Sequence, residues 1–296
     1  MKKIFQKLFT LDAKYSIIRG MKYIAETLKY IVKNLWYILL FGVLPAAFFV
    51  GAFDYSHFTL LVKSFFTGKL TELTYLDLFR AFSFLNVSSW YGVLCSLFGF
   101  FVVCIMMSVL LALIEKHMRI GKRTFNGVFS KINDNILATI LVALCIFLIY
   151  EIWTALMALA EFCIILIFAK APVAAYIFGI IAFALMVWAL MHIVSYFMLW
   201  LPCQLITGFH VFEALTYSAH LSENKRRRLL PAILLPVLIG NGILSVCVLG
   251  GTPALAPVVF VVYLIYFLYY GTLMEIAYFM DAEMEREDLK PAYKRR

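Results

Sequence analysis

Charge is the scarcest ingredient of this chain: Asp, Glu, Lys and Arg supply 15% of its 296 residues, against about 25% in a soluble domain. With 64% hydrophobic residues and a mean hydropathy of +0.93, a soluble fold would leave apolar surface bare as aggregating patches. Most soluble chemistry is thereby excluded. The six cysteines (Cys95, Cys104, Cys145, Cys163, Cys203, Cys247) lie in apolar stretches or at their ends. None forms a C-x-x-C pair or has a His at zinc-ligand spacing, so they read as small apolar side chains. A G-x-S-x-G elbow, an H-E-x-x-H helix and paired carboxylates on one face of an apolar run are also missing. Glu151 and Glu161 are ten residues apart, an offset of about 80° on a helix. The sequence therefore predicts no catalytic residues, no metal and no cofactor.

What is present is long apolar runs. Crossing a hydrocarbon core of about 30 Å takes about 20 apolar residues. Six runs qualify, over 35–53, 91–114, 136–168, 173–200, 229–250 and 255–279. Lys170-Ala171-Pro172 and Gly250-Gly251-Thr252-Pro253 punctuate two of the junctions. Threading the runs through a bilayer puts 22 of the 26 Lys and Arg residues on one side, leaving only Lys63, Lys69, Arg80 and Lys170 elsewhere. The positive-inside rule makes that side, with both termini, cytoplasmic. The expected fold is an all-α polytopic membrane bundle in the cell membrane. About 34 residues precede the first run, too many for a signal-peptide n-region, so that run is expected to be retained. The net charge of +9 lies beside the spans, where anionic headgroups rather than nucleic acid are the partner.

Residues 1–34 carry a helical pattern. Ile17, Ile18, Met21, Ile24, Ala25, Leu28, Ile31 and Val32 share one face, and Lys14, Arg19, Lys22, Glu26, Lys29 and Lys33 the other. This predicts a basic amphipathic helix in the headgroup region, with packing on a cytoplasmic protein as the alternative. Similar stretches precede Ile136 and Leu229, suggesting a threefold unit of interfacial helix and span. Segment 54–90 is near neutral, and Thr74-x-x-Asp77 predicts a capped helix within it. Its many Phe and Leu residues predict that it lies on the outer leaflet or folds over the bundle mouth. The tail from 281 to 296 is expected to be a solvated, charged helix end.

Ionisable residues inside spans are functional candidates, because lipid penalises them. Glu151 is placed in the outer part of the third span, as a proton or cation ligand or as a bonding partner of a neighbouring helix. Glu161 falls near the outer end of the same helix. His192 is expected to hydrogen-bond between helices, and Glu275 to sit near the cytoplasmic interface. Asn241, between Gly240 and Gly242 with Pro231 and Pro236 upstream, marks a breakable fifth span of the kind that lines pathways in transporters. Lys22, Lys29, Arg119, Lys122, Arg123, Lys225, Arg226, Arg227 and Arg228 are the candidates for pairing with lipid phosphates.

Phe212-Glu213-Ala214-Leu215-Thr216-Tyr217-Ser218-Ala219-His220-Leu221, followed by Asn224, Arg226–Arg228 and an apolar span, resembles the membrane domain attached to some bacterial glycerophosphodiester phosphodiesterases and the stand-alone six-span proteins related to it. Only 17 residues follow the sixth span, so the resemblance implies no hydrolase activity. Glu213-Ala214 with Leu230-Pro231 is also similar to the coupling loop of importer-type ABC permeases. Leu215 replaces that motif's second Ala, Ala219 stands near its Gly, and Pro231 comes one position early. That likeness implies an ATPase subunit as partner and Glu213 as the coupling residue. The sequence therefore predicts a non-enzymatic membrane protein engaging anionic lipid, with a transporter or permease subunit as the alternative.

Overall fold

The computed structural model describes residues 2–223, 225–251 and 255–290, without the side chains of 2–19, 129–135, 226 and 227. It is all-helical: α1 (Lys2–Ala52), α2 (Tyr55–Thr67), α3 (Tyr75–Phe82), α4 (Trp90–Ile120), α5 (Val128–Ile167), α6 (Pro172–Phe197), α7 (Trp200–Thr207), α8 (Val211–Ser222), α9 (Arg226–Leu249) and α10 (Leu255–Asp281). Six stretches are long and apolar enough to cross a bilayer: Gly20–Ala52, Trp90–Ile120, Ile136–Ile167, Pro172–Thr207, Arg228–Leu249 and Leu255–Asp281. They coincide with the six apolar runs. The chain is an integral multi-span membrane protein.

Three boundaries differ from those read in the sequence. The amphipathic stretch before residue 35 is not a separate helix, because α1 runs unbroken into the first span. Its polar knot is absorbed when the Asn34 amide donates to the Tyr30 carbonyl one turn back, at 2.9 Å. The amphipathic stretch before Ile136 likewise belongs to α5, although the side chains of 129–135 lie outside the described residues. Only the third such stretch forms its own helix, α8. The fourth span, expected to end at 200, breaks at Met198–Leu199 and resumes as the buried α7. Pro202 has no N–H for the carbonyl four residues earlier, which accounts for the break.

α1 is the hub, packed against α10, α4 and α9. Pro236 would kink α9 and orphan the Ala232 carbonyl, but a tyrosine ladder on α10 meets the exposed groups. Tyr269 donates to the Ala232 carbonyl at 2.9 Å, Tyr270 to that of Ile233 at 2.8 Å, and Tyr266 to that of Val237 at 3.2 Å. The breakable fifth span is thus sealed by its neighbour. Gly240 leaves room for the Tyr266 ring, which any Cβ there would overlap.

Two exposed tryptophans stand at opposite ends of the bundle. Gly51 of α1 lies against Cys95 of α4, so close that a Cβ would stand 2.5 Å from its sulfur. From that crossing, Trp36 is fifteen residues along α1 one way, and Trp90 five along α4 the other. At 1.5 Å per residue the two indoles are about 30 Å apart along the helix axes, comparable with one hydrocarbon thickness. Trp36 is 91% exposed and Trp90 82%, as interfacial aromatics are.

Candidate functional site

The two ends of this slab are built differently. At the end that carries Trp36, α1 shows three faces. Tyr23, Ile24, Thr27, Tyr30 and Asn34 are buried against the bundle. Met21, Ala25, Leu28 and Val32 form an exposed apolar stripe at spacings of four, three and four, and Lys22, Lys29 and Lys33 flank it, also exposed. The Lys22, Lys29 and Lys33 ammonium groups have no carboxylate partner among the described residues. Glu26, on the same helix, is drawn off by Arg286 at 3.7 Å.

Other basic residues at this end are committed to the fold. Lys225 bonds the Asp281 carbonyl at 2.6 Å and stands 3.6 Å from its carboxylate, which also accepts from Tyr23 at 2.6 Å. Arg119 pairs with the buried Glu115 at 2.9 Å. Arg123 bonds the Asn34 side chain at 3.0 Å and the Lys33 carbonyl at 3.1 Å. Arg228 is half-buried, and the Arg226 and Arg227 side chains lie outside the described residues. Of the nine predicted headgroup ligands, Lys22, Lys29 and Lys122 are exposed without a described carboxylate partner. Lys33, which is not among those nine, joins them.

Beyond α10 the chain does not run into solvent. Asp281, Glu287 and Asp288 are buried, the last two in a 3-10 turn packed on α4. Arg286 clamps Asp288 at 2.9 Å and Lys290 clamps Glu287 at 2.7 Å. The expected solvated tail is, as far as residue 290, partly built into the packed end, because Arg286 and Lys290 neutralise the buried Asp288 and Glu287 locally, while Glu283 and Glu285 remain exposed.

Lys33, His117, Gly121, Lys122 and Arg123 line a cleft of about 390 Å³ at this end. Gly121 makes it possible. Its φ of 72° ends α4 in the left-handed region, where glycine costs least. The chain then doubles back over α1, and Arg123 fastens it there. His117 forms the rear wall, with its Nδ1 held by the Tyr30 hydroxyl at 2.8 Å.

The opposite end is closed by α2 and α3, packed on α9 and α5, so of the two placements expected for this segment it takes the one over the bundle mouth. Thr74 and Asp77 make the expected capping box. Tyr176 donates to the Ser64 and Phe65 carbonyls, at 3.1 and 2.8 Å, tying the hairpin to α6. The non-helical stretch after α3 dips into the bundle, where its backbone needs protein partners. Glu151 accepts from the Phe84 N–H and the Ser83 hydroxyl, both at 2.9 Å, Tyr150 donates to the Phe82 carbonyl at 2.7 Å, and Ser96 accepts from the Asn86 N–H at 3.1 Å. Glu151 is therefore a clasp on a loop.

His57 stands between two carboxylates there, 2.8 Å from Asp54 and 3.8 Å from Asp77. Ser56 and Ser88 approach the same ring nitrogen that faces Asp54. A nucleophile relay needs the hydroxyl on the other nitrogen, so this is a charge-paired cap. Burial disfavours the Asp54 carboxylate, but Ser56, Ser88 and His57 bond it and hold its pKa below the usual range. Burial opposes ionisation of Asp77 too, and is outweighed by the two Thr74 bonds, His57 and Arg80.

The remaining intramembrane candidates stay apart. His192 packs at a tilt against Trp188 of its own helix, with centroids 4.3 Å apart, and its buried Nδ1 has no hydrogen-bond partner among the described residues. The expected bond between helices is not made. Asn241 is exposed, and Glu275 is wholly buried where α10 meets α7. Glu213 is exposed and accepts from the His210 N–H at 3.3 Å, capping α8. Among the described residues no three His, Cys, Asp or Glu side chains are placed to hold a metal. Sequence reasoning missed the cleft. The signal was Gly121 followed by two cations, which gains meaning only once α1 is known to lie opposite. No family model matches the chain, and no curated protein or solved structure is significantly similar to it.

Proposed function

We propose that the chain is a non-enzymatic membrane protein whose basic end faces the cytoplasm and engages anionic lipid. One observation carries this reading: the exposed stripe Met21, Ala25, Leu28 and Val32, bordered by Lys22, Lys29 and Lys33 and ending at the exposed Trp36. An apolar strip at headgroup depth, flanked by cations without carboxylate partners, is what an anionic leaflet covers best. The charge asymmetry between the two ends supports the same orientation. The resemblance to phosphodiesterase-associated membrane domains is compatible with a lipid-handling role.

The test is lipid selection around the purified protein. In nanodiscs of mixed phosphatidylglycerol and phosphatidylcholine, the annulus is expected to be enriched in phosphatidylglycerol. K22Q/K29Q is expected to reduce that enrichment, each lysine contributing about 1 kcal/mol. Equal lipid selection by parent and variant, or reporter fusions that place a terminus outside, would sink the reading.

A second reading rests on α8. This short helix packs on α6 and α7 through its buried Ala214 and Ser218, and its other face leaves Phe212 74% exposed and Glu213 facing solvent, as a coupling helix to another subunit would. It predicts a co-purifying nucleotide-binding ATPase that is lost on Glu213→Ala.

A further inference from the structure

We infer that the cleft between α1 and the end of α4 is a binding site for a phosphate-bearing anion, held by Lys33, Lys122 and Arg123. The inference deepens the lipid reading by naming one site and its ligand chemistry. Three cations line one cleft, and no acidic side chain is among its lining residues. The nearest acid in sequence, Glu115, is occupied by Arg119. Lys33 and Lys122 have neither a carboxylate nor a hydrogen-bond acceptor among the described residues.

Arg123 is held in place without being used up. Its Nε and one Nη2 hydrogen are bound to Asn34 and the Lys33 carbonyl. A guanidinium has about five N–H donors in a fixed fork, so the Nη1 edge remains to meet an anion. A pre-positioned fork suits phosphate oxygens, and the two lysines add point charges. Elsewhere at this end Lys225, Arg119 and Arg286 are neutralised by Asp281, Glu115 and Asp288, and the unpaired Lys22 and Lys29 stand apart on the exposed face of α1, so concentrating three cations in one hollow gains nothing for the fold itself. Like charges gathered there repel, and an anion removes that cost.

The place suits the ligand. Lys33 is one helical turn from the exposed Trp36, a residue type enriched at the edge of the hydrocarbon. A phosphate at the level of Lys33 is therefore at headgroup depth. The cleft falls within the range of small-ligand sites, about 300–1,000 Å³. A lipid phosphodiester and free inorganic phosphate present the same oxygens, and the test separates these sources.

The full chain is purified in detergent, exchanged extensively, and assayed for retained phospholipid phosphorus. Inorganic phosphate is then titrated by its effect on the unfolding midpoint, with chloride as the control salt. K33Q/K122Q removes two exposed lysines that support no described contact, and K22Q/K29Q removes the same charge outside the cleft. A lipid ligand predicts retained phosphorus in the parent and in K22Q/K29Q. K33Q/K122Q would then lose affinity by about fivefold per lysine. A free-phosphate ligand predicts a phosphate-specific midpoint shift that only K33Q/K122Q abolishes. If the two double variants behave alike in both assays, there is no site. In that case, reduced phosphatidylglycerol enrichment in both leaves the general lipid reading standing, and unchanged enrichment in both removes it as well.

Discussion

The basic end and the capped end of the bundle use charge in opposite ways. At the capped end Glu151, Asp54, His57 and Asp77 work locally. Glu151 holds the Ser83–Phe84 loop, and Asp54, His57 and Asp77 brace the hairpin. At the basic end, one set of charges is locked around Asp281 and the 3-10 turn, while Lys22, Lys29, Lys33 and Lys122 are left without described carboxylates. A charge needed for the fold is matched inside the molecule. A charge left unmatched at headgroup depth is available to something outside it. That contrast, more than any motif, separates scaffold from candidate site.

The contrast can be broken most sharply at Asp281. It is 4% exposed and joins Tyr23 to Lys225. Asp281→Ala leaves the Tyr23 hydroxyl without its acceptor and the Lys225 ammonium with only the backbone carbonyl, and is expected to cost about 3 kcal/mol, measured as a lowered denaturation midpoint in detergent. At the capped end the equivalent change is Glu151→Ala, which leaves the Phe84 N–H without its acceptor. A loss of about 2 kcal/mol is expected, with faster hydrogen exchange confined to residues 82–86. Undiminished proton-coupled flux in Glu151→Gln, were flux found at all, would agree with the clasp. Tyr269→Phe uncovers the Ala232 carbonyl at the Pro236 kink and is expected to cost about 1 kcal/mol, again read from the midpoint. If that substitution is neutral, the ladder does not seal α9.

The smallest expected effect is that of pH. Asp54 and Asp77 both have depressed pKa values, so their stabilisation is present above the unfolded carboxylate pKa of about 4 and disappears as pH falls through the folded values. Acidification below about pH 4 should therefore loosen the α2–α3 hairpin, seen as local proteolysis or exchange over residues 55–82. Asp54→Asn should reproduce the loosening at neutral pH. A hairpin equally protected at both pH values would show that its apolar contacts alone hold it.

How much of this was legible in the sequence depended on range. The spans could be read because each apolar run is long enough to admit one interpretation, and the Thr74 cap because its partner is three residues away. Asn34 misled, since a polar residue after Lys33 looks like a boundary until its amide is seen to turn back on Tyr30. The acidic residues after 280 misled similarly: the interspersed Arg286 and Lys290 were visible, but the burial they permit was not. The partners of Glu151 lie 67 and 68 positions away and that of Asp281 lies 258 away. No periodicity reports such distances. Lys33 and Lys122 acquire a common meaning only when α4 is laid beside α1.

The bond between Tyr23 and Asp281 also bears on how the molecule is made. At about 5–20 residues per second, a ribosome takes on the order of tens of seconds to travel from one to the other. During that time the first span is already synthesised, while the helix against which it packs most extensively does not yet exist. The newborn α1 must meanwhile be sheltered by lipid or by the insertion machinery, and the bundle fastens only as its sixth span arrives.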